Sequence, residues 1–323
     1  MLSPATEAAD YAGLLTNRIA FNKALQSQHS WQGSAWILGL DYDGFALPRL
    51  PQVPFIASAR ALFADIAPTE PEPFRSMLQQ QAELEKQNFQ SAAAVTVPSA
   101  YAKRGVCGYY DISPAKVHVI PNAVDIDEWD ALTRSNVPQP AEVPTLLAVG
   151  KLFPRKRIDM LLRAMPLIRR AVPDAQLRIV GDGQQWDDLQ QLTRELGIAD
   201  AVSWLGNLSR TAVAREFAAS HVFVHPSVQE TFGNVCLEAM AARRPLLVVN
   251  AASLPEIVGA ADSGVIVPPD NPQALADAAI ALLSDPEERQ RLGANGRRYA
   301  ERWSWQAVAR CYLDLAESLM AAG

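Results

Sequence analysis

The stretch His225 to Ala241, HPSVQETFGNVCLEAMA, decides the fold. The apolar run Val222-Phe223-Val224 leads into it and Pro226-Ser227 turns the chain. After Glu230, Gly233-Asn234 opens a run with apolar Val235, Leu237, Ala239 and Met240. That pattern predicts a strand, a loop and a helix. A helix beginning there directs unpaired backbone N–H groups, and the positive end of its dipole, at whatever lies over the loop. Glu230, just outside the helix, and Glu238, near its second turn, bracket this anion-attracting spot with two carboxylates, which attract hydroxyl donors. A ligand with phosphates in its middle and hydroxyl-rich rings on both sides matches the arrangement.

Working outward, the same alternation recurs on both sides. Thr145 to Val149 reads as a buried strand ending at Gly150, followed by GKLFPRKRID with Lys151, Arg155, Lys156 and Arg157. A basic cluster between a strand and a helix (Ile158 to Arg170) falls at the carboxyl edge of a sheet, where open α/β folds bind ligands, and a diphosphate is its natural partner. Gln176 to Val180 is a strand ending in Gly181-Asp182-Gly183. A dinucleotide fingerprint would need a third glycine where Trp186 stands, so NAD is discounted. Helices are expected over Trp186 to Leu196 and Thr211 to Ser220, with strands over Val202 to Leu205 and His221 to His225. His221 and His225 share one strand face, but without a third ligand they read as structural or supporting residues rather than a metal pair. Pro245 to Val249 and Gly264 to Pro268 complete the strands. Helices over Asn271 to Leu283, Glu287 to Arg302 and Trp305 to Met320 follow.

Pro226-Ser227, the three-residue step to Glu230, Thr231-Phe232-Gly233-Asn234 and Leu237-Glu238-Ala239-Met240-Ala241 resemble the E-x7-E signature of the retaining, two-Rossmann-domain (GT-B type) glycosyltransferases of family 4. The resemblance covers about Val95 to the C-terminus. It implies an α/β fold of two Rossmann-like domains and transfer of a sugar from a nucleotide-sugar donor, with the anomeric configuration kept and no metal. In relatives Gly-Arg-Leu stands where this chain has Gly150-Lys151-Leu152. Lys151 keeps the charge but loses the bidentate fork. Lys156 matches the family lysine. The resemblance thus assigns Lys151 and Lys156 to the departing diphosphate and Glu230 to the sugar hydroxyls and the charge at the anomeric carbon. It assigns Glu238 to the nucleotide ribose. Gly150, Leu205, Gly206, Thr231, Phe232, Gly233 and Asn234 would line the donor site. Relatives place a histidine just past the strand Val53 to Ser58. This chain offers Ser58-Ala59-Arg60, so Arg60 stands in on the acceptor side or the residue is lost. Many relatives also carry two glycines where Ala251 to Glu256 reads AASLPE.

The N-terminal part departs from that pattern. A surface helix is expected over Ala8 to Gln28, then strands over Ala35 to Leu40, Val53 to Ser58, Ala93 to Val97 and Val117 to Ile120, with a helix over Phe74 to Gln90. A doubly wound half opens with a strand and a glycine turn. This chain opens in a helix and shows about four strand candidates, so its first domain is expected to be incomplete. Asp41-Tyr42-Asp43 and Asp125-Ile126-Asp127 could each hold a divalent metal, but both look like turns. Prolines 138, 140 and 144 suggest an interdomain linker over 129–144. The expected organisation is 1–142, an acceptor-side domain; 143–303, a donor-binding domain; and 304–323, a helix that in the resembling enzymes packs back on the first domain.

Composition sets outer bounds. The 323 residues are 49% hydrophobic and 20% charged, enough for two ordinary cores. A net charge of −6 gives no invitation to nucleic acid. The three cysteines lack metal-ligand spacing and suit a reducing cytosol. No cofactor beyond the nucleotide-sugar substrate is expected. The expected acceptor is a carbohydrate, lipid or small molecule, and the expected location is cytoplasmic, with peripheral contact at the inner face of a membrane left open. Two alternatives stand beside transfer: a module that binds a nucleotide sugar without turnover, and a sugar-nucleotide epimerase of the same architecture.

Overall fold

The structure, a computed structural model, describes residues 36–41, 47, 49, 52–134 and 143–322. The helix expected over 8–28 lies outside these. The chain divides into two units: residues up to Pro121 together with Val308–Gly323, and Asn122–Ala307.

In the first unit, β1 (Ile37–Leu40), β2 (Phe55–Ser58), α1 (Phe63–Ile66), α2 (Phe74–Ser91), β3 (Ala94–Val97), α3 (Ala100–Tyr110) and β4 (Val117–Val119) follow in chain order. The four strands form one parallel sheet in the order β1-β2-β3-β4. Every residue of β2 and β3 is buried, as expected of a parallel sheet covered on both faces. Ser99 caps α3, its side chain accepting the Ala102 N–H at 3.0 Å. The expected strands all form, with ends shifted by one or two residues.

The second unit contains α4 (Ile126–Arg134), β5 (Thr145–Val149), α5 (Ile158–Ala171), β6 (Gln176–Val180), α6 (Trp186–Glu195) and β7 (Val202–Trp204). It continues with α7 (Arg210–Ala219), β8 (Val222–His225), α8 (Asn234–Ala241), β9 (Leu246–Val249), α9 (Leu254–Ala261), β10 (Gly264–Val267), α10 (Pro272–Ser284) and α11 (Pro286–Glu301). Its six strands are parallel in the order β10-β9-β8-β5-β6-β7. The chain starts in the middle, builds out to β7, then returns beside β5 to build the other side. That reversal opens a crevice beyond the carboxyl ends of β5 and β8. The last helix, α12 (Trp305–Ala322), belongs to the first unit from Val308 onward. The expected α/β fold with two Rossmann-like sheets is present, and among the described residues the first sheet is the smaller.

The expected linker over 129–144 begins too early. Asp125 accepts the Glu128 N–H at 2.9 Å on its side chain and the Trp129 N–H at 3.0 Å on its carbonyl, so it starts α4 instead of holding a metal. Trp129 is 1% exposed and meets Phe217 edge-on at 5.7 Å. A buried indole on a capped helix outweighs prolines several residues downstream. Those prolines, save Pro144, fall within 135–142, outside the described residues. Asp41 likewise has a structural task, because its carboxylate accepts the backbone N–H groups of Arg60 (2.5 Å) and Ala61 (3.0 Å). Its neighbour Asp43 lies outside the described residues.

Two loops depend on unusual backbone. A Cβ on Gly181, whose φ is +132°, would lie 1.8 Å from the Gly150 carbonyl oxygen, and one on Gly183 would lie 2.7 Å from Leu152 N. The Gly-Asp-Gly run is therefore a close packing of the loop after β6 onto the loop after β5, tied by Leu152 N–H to the Asp182 carbonyl at 3.0 Å. Where relatives carry glycines, Ala252 adopts φ +52°. The left-handed shape survives at a cost on the order of 1–2 kcal/mol for a side chain with a Cβ. Ala252→Gly should relieve it and raise stability by about 1 kcal/mol, to be read as a higher urea midpoint with unchanged slope.

Candidate active site

β5 and β8 are adjacent, so the loops leaving their carboxyl ends meet. Val228 N–H donates to the Arg155 carbonyl at 2.9 Å. The fully buried Ser227 hydroxyl lies 3.3 Å from the same carbonyl and 3.2 Å from that of Gln229. Pro154–Lys156 form a single tight turn that ends at Arg157 in a left-handed conformation (φ +52°), which places Lys156 against the facing loop. Its ammonium pairs with Glu230 Oε1.

The same oxygen lies 2.8 Å from His225 Nε2. The His225 ring stacks on Phe223, with centroids 5.8 Å apart and planes at 18°. Burial alone would push the Glu230 carboxyl up. The His225 hydrogen bond and the Lys156 ammonium outweigh it and hold the group at about 2. Glu230 is thus a fixed anion at any physiological pH. Both contacts use Oε1, and among the described residues Oε2 accepts no hydrogen bond. The loop is further pinned where Ser253 N–H donates to the Glu230 carbonyl at 3.3 Å.

Lys151 is exposed, and it lines one small concavity together with Gly150, Lys156, Val224 and His225. Thr231 is half-buried in the same loop, whereas the Phe232 ring is in the core and can offer a ligand only its backbone. Gly233, at φ +86°, is the N-cap of α8 and contributes no side chain to cap its N–H groups. Asn234 is exposed, and its Oδ1 accepts from the Asn122 amide at 2.5 Å. Leu205 and Gly206 follow β7 at the same sheet edge. The Gly206 carbonyl takes the Gly181 N–H at 2.8 Å, and its φ of +63° explains the glycine.

Among the described residues Glu238 makes no hydrogen bond or ion pair with Lys156 or Glu230. Burial raises its carboxyl above the ordinary range; Arg210 opposes this and Glu128 adds to it. Arg210 and Glu128 are themselves paired at 2.9 Å. Cys236, fully buried on the turn between, feels both groups: its thiol is raised by burial first, then by Glu230, with Lys156 opposing and Glu238 adding. The two glutamates therefore flank one buried thiol without touching.

Arg60, in the first unit, donates to Ser58 Oγ at 2.9 Å and to the Tyr312 hydroxyl of α12. That hydroxyl also lies 3.2 Å from both Ser58 Oγ and Thr96 Oγ1.

His225, which reads from sequence as a structural or supporting residue, is placed by the structure on Glu230, in the supporting role. The available signal was a histidine ending an apolar run five residues before the acid. His221, four residues away and about 13 Å along the strand, has its Nδ1 taken by the Thr145 N–H at 3.1 Å. Among the described residues no group of three or more His, Cys, Asp or Glu could hold a metal ion, and no helix is long and apolar enough to cross a membrane.

Comparison with known proteins gives the family. The model described as "Glycosyl transferases group 1" matches residues 131–299, and "Glycosyltransferase Family 4" matches residues 34–128. Similar curated proteins include the D-inositol 3-phosphate glycosyltransferase of Kineococcus radiotolerans, 31% identical over 72% of this chain and 58% of its own. The GDP-mannose-dependent alpha-(1-6)-phosphatidylinositol monomannoside mannosyltransferase of Mycobacterium tuberculosis is 31% identical over 68% and 60%. The chain thus spans somewhat under two thirds of these relatives. Among solved structures, sucrose-phosphate synthase from Thermosynechococcus elongatus matches with TM-score 0.77 and 26% identity over 94% of this chain and 78% of that one. Anabaena HepE in complex with UDP matches with TM-score 0.71 and 18% identity, over 93% and 82%, a likeness of fold. The two parallel sheets are those of the GT-B architecture, and the chain belongs to the glycosyl transferases group 1 family.

Proposed function

We propose that this chain transfers a glycosyl unit from a nucleotide-sugar donor to a carbohydrate, lipid or small-molecule acceptor, with retention of anomeric configuration and without a metal ion. The observation that carries this is the Lys156–Glu230–His225 cluster at the reversal of strand order, beside the amino end of α8. A departing nucleoside diphosphate gains negative charge in the transition state. Lys151, Lys156 and the first N–H groups of α8 can meet that charge with no cation added.

The state of Glu230 supports retention. A carboxylate held at about 2 is a poor proton acceptor near neutrality, so Glu230 does not suit the base that an inverting attack would need. It suits a fixed negative charge beside the anomeric carbon, with Oε2 accepting a sugar hydroxyl. Glu238, more basic than an ordinary carboxylate, would take the ribose hydroxyls. Arg60 would serve the acceptor side, held by Tyr312.

The relatives named for GDP-mannose and for D-inositol 3-phosphate make nucleotide sugars and polyol acceptors the first candidates. The protein should be melted with UDP-, GDP- and ADP-sugars, then incubated with the best donor and an acceptor panel in EDTA, the product anomer being read by NMR. A matching donor at about 100 times its Kd should add about 2.7 kcal/mol of stability. A product of inverted configuration, or activity abolished by EDTA, overturns the mechanism. Stabilisation with no product in any acceptor leaves a binding module.

A further inference from the structure

A cavity of about 390 Å³ opens at the amino edge of the second unit's sheet, the edge opposite the Lys156–Glu230 loops. His221, just before β8, and Arg243 and Arg244, just before β9, line it from one side. Pro286, Arg289 and Gln290, in the first turns of α11, line it from the other. From His221 to His225 is four residues of strand, about 13 Å, so this is a separate place from the candidate active site.

Three guanidinium groups and an imidazole converge here, and among the described residues no carboxylate pairs with them. Arg244 donates only to carbonyls, those of Ala242 at 2.9 Å and Ser220 at 2.7 Å. Arg289 does the same, to Leu282 at 2.7 Å and Leu283 at 2.6 Å. The exposed Arg243 side chain makes no hydrogen bond or ion pair among the described residues, although its backbone sits at φ +58° to present it there. His221 Nδ1 accepts the Thr145 N–H at 3.1 Å, so the neutral ring carries its proton on Nε2 as a further donor. Asp285, at the start of α11, offsets the positive charge at Arg289 without forming an ion pair with it among the described residues. Burial and then the neighbouring arginines depress His221 in turn.

Like charges gathered in a partly buried cavity are costly unless something negative joins them. Guanidinium forks match carboxylate and phosphate oxygens two at a time, but a phosphate monoester dianion brings two charges and three free oxygens to the converging arginines, where a carboxylate brings one charge and two oxygens and a halide no fork partner. The volume exceeds a bare phosphate ion and falls in the range of small-ligand pockets. We propose that this cavity binds a phosphate monoester dianion carrying a small polar group, as a second ligand site distinct from the transfer site. Arg243 supplies the fork without another partner, Arg244 and Arg289 supply charge while holding the walls, and His221 and Gln290 supply neutral donors. The proposal does not depend on what is transferred at the other edge.

Calorimetric titration with inorganic phosphate and with glucose 6-phosphate tests it, on the unaltered chain and on Arg243→Ala, Arg243→Glu and Lys156→Ala. The Arg243 side chain makes no hydrogen bond or ion pair among the described residues, and its backbone contacts are kept in the variants, so these should melt like the parent. Saturable binding is expected, weakened about tenfold or more by Arg243→Ala and abolished by Arg243→Glu, with Lys156→Ala unaffected. Both probes share the phosphate chemistry, and tighter binding of glucose 6-phosphate identifies an ester as the natural source, equal binding free phosphate. Binding lost in Lys156→Ala but kept in the Arg243 variants would place the anion at the transfer site and overturn the proposal, as would no saturable binding of either probe at millimolar concentration.

Discussion

Lys156→Ala is expected to lower kcat/KM for sugar transfer about 100- to 1000-fold, the loss seen when one preorganised group facing developing charge is removed. Two effects combine. The departing diphosphate loses an ammonium held by a tight turn rather than by a loose chain. Glu230, largely shielded from solvent and paired on one oxygen, is left with His225 alone, so its carboxylate becomes harder to keep ionised. Lys156→Arg keeps the charge and should restore part of the rate, but the larger planar head must fit where the ammonium pairs with Oε1. Initial rates with the donor found by melting, beside the donor-induced thermal shift, decide the matter. Unchanged rate and unchanged shift in Lys156→Ala would remove this residue from the site.

The second large effect is structural. Trp129→Ala should destabilise the second unit by about 3–5 kcal/mol, the usual range for deleting a fully buried large aromatic side chain. Trp129 is 1% exposed, packs edge-on against Phe217 and joins the core beneath β5 and β8. Urea unfolding followed by far-UV circular dichroism measures the loss. A change below about 0.5 kcal/mol, typical of surface positions, would mean that the segment behaves as the linker its prolines suggest.

These two residues mark the limits of sequence reading here. Around Lys156 the letters are enough: strands of four or five residues, mostly apolar and each closed by a glycine or a Pro-Ser turn, give β5, β6 and β8 with ends correct to within a residue. The helix after Gly233-Asn234 followed from its apolar spacing. Near Trp129 the prolines outweigh a buried indole in the sequence pattern, because its burial depends on Phe217, far away in sequence. The partner of His225 is hidden for a similar reason: a supporting histidine is legible, but Glu230 comes back to it only after the loop folds. Conversely, Gly-Asp-Gly after β6 looks like half of a nucleotide fingerprint, and only the packing against Gly150 shows what the glycines do. Of the proposed donor residues, the fold brings Lys151, Lys156 and Glu230 to one edge of one sheet, and Glu238, one helix turn further on, acts with Lys156 and Glu230 on the same buried Cys236 thiol.

The assignment of α12 from Val308 onward to the first unit has a consequence for biosynthesis. Tyr312 completes a hydroxyl cluster with Ser58 and Thr96, yet the ribosome must first make everything from Asn122 to Ala307. At ordinary elongation speeds that interval is roughly 10–40 s, during which the early sheet waits with one wall missing while the later domain can already fold behind it. Nascent chains stalled before Val308 should therefore expose the early sheet to proteases and chaperones, and emergence of α12 is the event that seals it.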